Sequence, residues 1–142
     1  MNDNFEILNK FKGFGNPTGD YWFIGIEEAL PTTADNLQEI IKKYDKEIIP
    51  TKHGEIKDTA NRLGNRFTKV YDIMSKIIIN GDNWKEYRDT RLLQADSNEF
   101  QMNLFPLGKP KVSHWPTYYN ELFSIPSIDI YFDYVKRTRF KI

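Results

Sequence analysis

The sequence predicts an α/β protein built on a small central parallel sheet, and three observations carry that expectation. First, Tyr21 to Gly25 (YWFIG) is a short run of aromatic and β-branched residues, closed by glycine and the charged Glu27-Glu28 pair. Such a run reads as a strand buried on both faces, at the centre of a parallel sheet. Second, in residues 99–104 Phe100, Met102 and Leu104 alternate with Gln101 and Asn103, the period of a strand whose two faces differ. Third, stretches of helical periodicity separate the two runs, so a helical crossover rather than a hairpin joins them.

The remaining elements follow in order. Residues 4–12 suit a short helix with Ile7, Leu8 and Phe11 on one face. The GFGNPTG segment behind it reads as a turn-rich lead-in. Its glycines follow a helix and precede a strand, the reverse of a dinucleotide loop. After the first strand, Thr32, Thr33 and Asp35 offer helix caps, and Leu37, Ile40, Ile41 and Tyr44 mark an amphipathic helix. Residues 46–61, with Pro50 and Gly54, form a long loop. The clearest helix carries Phe67, Val70, Tyr71, Met74, Ile77 and Ile78 as one apolar stripe and stops at Asn80-Gly81. Another covers 83–93, with Trp84, Tyr87, Arg91 and Leu92. Two more are expected at 117–123 and from Ser127, the latter with Ile128, Tyr131, Phe132 and Val135 inward.

Two strands make a poor sheet. The last helix also falls where a βα alternation would supply its next strand. The expectation is therefore either further strands, for instance near 47–50, or the front part of a larger α/β fold.

The bulk numbers narrow the function classes. The length of 142 residues suits a single domain spanning 1–142, and 20 basic residues balance 20 acidic ones, so net charge names no partner. From Phe105 onward the basic residues outnumber the acidic ones, a surplus compatible with phosphate contact that usually marks only a solvated face. The absence of cysteine excludes disulfides, thiolate catalysis and cysteine-based zinc sites. No signal peptide or membrane span is read, which gives the expectation of a soluble, cytoplasmic chain. His53 and His114 sit in no ligand-spaced motif, so no metal is expected, and the reading calls for no cofactor.

Three segments in order carry a resemblance: WFIGIEEA, LGNRFTKVYDIM and FQMNLFPLGKP. Together they resemble the uracil-DNA glycosylase-like superfamily, most closely its mismatch-specific branch, over about residues 20–112. The resemblance implies a doubly wound, three-layer α-β-α fold around a parallel sheet, with a pocket for a nucleobase taken out of the stack. It implies hydrolysis of the N-glycosidic bond of a uracil or damaged base in DNA. Glu27 matches the residue that positions water at the sugar carbon, with Glu28 assisting. Asn103 matches the base-reading amide, which offers two donors and an acceptor. Phe23 and Phe105 could stack on the base, at roughly 1–3 kcal/mol per base. Asn65 and Arg66, which open a helix in the family, together with Lys109 and Lys111, are the candidate nucleic-acid contacts.

Where the family places Pro and Gly in the first turn, this chain has Glu28 and Ala29. A second reading therefore stands beside the first: a non-catalytic nucleotide-binding, nucleic-acid-binding or protein-interaction module. Such a module could self-associate or recruit a partner chain through an incomplete sheet.

Overall fold

A computed structural model describes residues 2–26, 34–63, 69–109 and 113–140. The protein is a mixed α/β chain with a small four-stranded sheet and seven helices among these residues. Its residues divide into two compact units, each assembled from separate segments of the chain.

The first unit comprises 1–12, 24–47 and 103–142. It contains helices α1 (Asp3–Lys10), α2 (Ala34–Lys43), α6 (Tyr118–Phe123) and α7 (Ile128–Arg139). Asn2 starts α1 by accepting the Phe5 N–H, and Ser127 starts α7 by accepting from Ile130. Phe5 and Leu8 of α1 are buried with Ile41, Leu107, Tyr119, Phe123, Ile125, Tyr131 and Val135. The Phe5 ring meets Phe123, Tyr131 and Tyr134 edge-on at 6.2, 6.0 and 5.7 Å, the arrangement that aromatic quadrupoles favour. Tyr131 and Val135 point inward as the α7 periodicity predicts.

The second unit comprises 13–23 and 48–102. It holds β1 (Gly13–Gly15), β3 (Ile48–Ile49), most of β2 (Tyr21–Gly25) and β4 (Glu99–Asn103), and helices α3 (Glu55–Leu63), α4 (Lys69–Ile78) and α5 (Trp84–Thr90). Ile56, Met74, Leu92 and Leu93 form its core, with Phe14, Phe23, Tyr71, Ile78 and Tyr87 packed against them.

The sheet order is β2-β4-β1-β3. β1 runs antiparallel to β4, with Phe14 opposite Gln101, and parallel to β3, with Phe14 opposite Ile49. Tyr21 N–H donates to Asn98 O at the start of β2, and Leu104 N–H donates to Gly25 O at its end. Partner numbers rise together, so β2 and β4 are parallel neighbours, as expected of strands joined by a long crossover.

The long loop read over 46–61 is instead interrupted by β3 and α3, and two expectations of the sheet are corrected. The sheet is mixed rather than parallel, because the GFG segment is a strand and not a turn. Adding a Cβ to Gly13 would bring it 2.1 Å from Gln101 O, so only glycine lets β1 and β4 approach this closely. β2 lies at the end of the strand order rather than at the centre, and its Trp22 and Ile24 are exposed, as is Ile26 just past it. An apolar run specifies a strand but not its neighbours. The further strand sought near 47–50 is β3.

Candidate functional site

The carboxyl ends of β2 and β4 lie side by side. Past Gly25, the Ile26 carbonyl accepts the Phe105 N–H at 2.8 Å, one step beyond the Leu104-to-Gly25 bond of 2.9 Å. Gly25-Ile26 and Leu104-Phe105, each within a sequence segment singled out above, are therefore neighbours at the sheet's end. Ligands of open α/β sheets bind outside the carboxyl ends of strands.

Asn103 is the last residue of β4 and is half-buried. Its backbone is fixed by Arg139, at the end of α7. Arg139 Nη2 donates to Asn103 O at 3.0 Å, and Nη1 donates to Asn9 O and Phe11 O, both at 2.8 Å. One guanidinium thus satisfies carbonyls at the end of α1 and at the end of β4, using its fork of fixed donors. Burial, which disfavours the charged form, pulls the Arg139 pKa below its ordinary value. The Arg139 Nε is buried without a hydrogen-bond partner among the described residues.

Phe105 is half-buried within an aromatic group, 4.9 Å from the Phe132 centroid, 5.8 Å from Phe140 and 6.0 Å from Tyr131. Phe23 packs against the core of the second unit. Lys109 does not present its charge to solvent. It is 1% exposed, with Nζ 4.9 Å from the Phe132 centroid and 5.7 Å from that of Tyr131. A phosphate contact needs an accessible ammonium, which this placement does not offer. Glu27, Glu28, Asn65, Arg66 and Lys111 lie outside the described residues.

Sequence reasoning missed a buried carboxylate. Glu99 opens β4 fully buried, and accepts from Tyr87 Oη and from Leu93 N–H, both at 2.6 Å. Those donors offset the desolvation of the carboxylate. They also hold Leu93 in the left-handed region, at φ 60°. Tyr87 is pushed above the ordinary tyrosine pKa, first by burial and then by the hydrogen bond to Glu99. No local signal announces such a pair, since its members are twelve residues apart. In the second unit, Lys52, His53, Glu55, Asp58 and Thr59 line an open polar depression of about 480 Å³. Among the described residues no three His, Asp or Glu side chains group so as to hold a metal ion, and no helix is long and apolar enough to cross a membrane.

Fold and site together define a mixed α/β protein whose parallel strand pair β2 and β4 ends in a polar and aromatic rim. The chain matches the family of unknown function DUF6942 over residues 30–116, more than half its length, and belongs to that family. No curated protein and no solved structure matches it.

Proposed function

We propose that this chain hydrolyses an N-glycosidic bond of a uracil or damaged base, at the carboxyl ends of β2 and β4. The observation that supports the reading is the Phe105-to-Ile26 hydrogen bond. It puts Ile26, the last described residue before Glu27, beside Phe105, two residues past Asn103, and this is compatible with the resemblance to uracil-DNA glycosylases. Glu27 accepts a proton from water as the water oxygen bonds to the sugar C1′, and Glu28 assists. The C1′–N bond breaks with its electron pair going to the base, and the proton taken from water is returned to that base. Asn103 hydrogen-bonds the edge of the extruded base.

The test is base release from single-stranded and mismatched oligonucleotides carrying uracil or hypoxanthine. Release by the natural chain, with a loss of about 10²–10⁴-fold in Glu27→Gln, supports the role of Glu27 as base. Absence of release from every substrate by folded protein overturns the proposal.

A second reading, an interaction module that completes its sheet with another chain, is favoured by the position of β2. Tyr21 N–H and Gly25 O face β4, so by strand alternation the N–H and C=O groups of Trp22 and Ile24 point the other way, where no strand pairs with them among the described residues. No charged residue interrupts Tyr21 to Ile26. Sedimentation over a range of concentrations checks this reading. Self-association that Ile24→Lys abolishes supports edge pairing, and a monomer at all concentrations counts against self-pairing.

A further inference from the structure

Helix α4 carries more apolar surface than the second unit buries. Met74 and Ser75 are buried, and Tyr71 and Ile78 pack on the core, which accounts for one face. Val70, Ile73 and Ile77 stand 51, 57 and 54% exposed. Their spacing of three and then four residues puts them on one stripe, beside the buried face rather than within it. β-branched residues are only moderate helix formers, and scattered exposed apolar residues would need no explanation. Three in register on one helix form a patch.

The charge beside the patch is of one sign. With Val70 and Ile77 at a positions and Ile73 at d, Lys69 and Lys76 both fall at g, along the outer border of the stripe. Both lysines are exposed. Among the described residues no carboxylate lies within ion-pair distance of either. The one acidic residue of α4, Asp72, is occupied by Arg88 at 2.6 Å. Lys76 Nζ lies over the Trp84 ring at 4.5 Å, and Lys85 Nζ lies over the same ring at 5.5 Å, which keeps the border cationic.

We propose that the outer face of α4 docks an amphipathic helix of another protein, with an apolar a/d stripe bordered by glutamates. A second copy of this chain is disfavoured on the same grounds. Antiparallel self-pairing would set the g-position lysines of one copy against those of the other, and parallel self-pairing would set Lys69 against Met74, which is buried, and Lys76 against Gly81. The proposal does not depend on the function proposed for the carboxyl ends of β2 and β4.

The test uses the full chain and two fluorescent three-heptad peptides with Leu at a and d, one with Glu at e and g and the other with Lys. The acidic peptide binds the natural chain, and the basic peptide binds at least about tenfold more weakly. The Lys69→Glu/Lys76→Glu double variant reverses that preference. The reversal is a gain of binding, so it cannot arise from unfolding. Ile73→Ser weakens both peptides while circular dichroism stays unchanged. Equal binding of the two peptides, no binding of either, or a preference that survives the charge reversal overturns the proposal. So does binding to vesicles containing phosphatidylserine in place of the acidic peptide, or self-association that Ile73→Ser abolishes.

Discussion

Arg139 holds Asn103 by its backbone carbonyl, at 3.0 Å from Nη2, and among the described residues nothing hydrogen-bonds the Asn103 side-chain amide. Backbone and side chain are therefore divided: the carbonyl fixes where β4 ends, and the amide, which takes no part in that support, is the group proposed to read the base.

That division predicts opposite outcomes for two substitutions. Asn103→Ala keeps the carbonyl and removes only the amide. Its unfolding midpoint in urea should stay close to that of the natural chain, while base release or nucleoside binding falls about tenfold to hundredfold, as expected for loss of one or two hydrogen bonds. Equal loss of stability and function in Asn103→Ala would show the amide to be structural.

Arg139→Ala should do the reverse. Three carbonyls, of Asn9, Phe11 and Asn103, lose their charged donor at once. The expected cost is about 2–4 kcal/mol by urea unfolding, since bonds to charged groups are the stronger ones and the acceptors are partly shielded from water. Arg139→Lys should recover only part of this, because an ammonium cannot reach three separated acceptors with fork geometry. A variant within about 0.5 kcal/mol of the natural chain would remove Arg139 from this role.

How far the sequence disclosed these features depended on how local their causes are. The α7 stripe was legible, because Tyr131 and Val135 obey helical spacing and bury where it predicts, whereas in α1 Leu8 buries as expected but the fully buried Phe5 lies outside the expected Ile7, Leu8 and Phe11 face. β2 and β4 were legible as parallel strands joined by a crossover. The sheet position of β2 was not, since Tyr21 to Gly25 would read the same at the centre or at an edge. In α4 the single expected stripe splits. Met74 turns inward, and Val70 and Ile77 turn outward with Ile73, because periodicity reports an apolar arc without saying what covers it. In the sequence Arg139 is one of several basic residues past Phe105, and Glu99 is a charged residue just before the Phe100, Met102 and Leu104 alternation. Their partners, Asn9 and Asn103 for one and Tyr87 and Leu93 for the other, are brought to them by folding alone.

The Glu99 pair makes a prediction with a pH signature. Tyr87→Phe removes the donor to Glu99 Oε2 and should cost about 1–2 kcal/mol near neutral pH, because a buried acceptor goes unpaired. The folded Tyr87 pKa is raised, so this stabilisation is fully present below the unfolded tyrosine pKa of about 10. Above that pH the unfolded chain gives up the proton while the folded chain keeps it. The folded state then binds more protons, and stability falls as pH rises. The stability gap between the natural chain and Tyr87→Phe should therefore narrow above pH ~10. Tyr134, also raised through its bond to Glu6, is present in both proteins and cancels in the difference. A gap constant from neutral to alkaline pH would show that burial and Glu99 do not hold the Tyr87 proton.

Three glycines rank by what an added methyl group would meet. Gly15 has φ +95°, and a Cβ there would lie 2.6 Å from Glu99 O and 3.0 Å from Leu93 Cδ2. The backbone oxygen cannot retreat without pulling β4 away from β1, so Gly15→Ala should cost about 3 kcal/mol or more by adding a clash to left-handed strain. Gly54 has φ +77° but nothing within 4 Å of its Cβ position. Gly54→Ala should therefore cost about 1–2 kcal/mol, from strain alone. Gly81 has open space and no positive φ, so Gly81→Ala should be neutral or stabilise by up to about 1 kcal/mol, through a less flexible unfolded chain. Urea midpoints of the three variants should fall in that order. If Gly15→Ala proves as mild as Gly54→Ala, β1 does not lie as close to β4 as the Gly13–Gly15 strand requires.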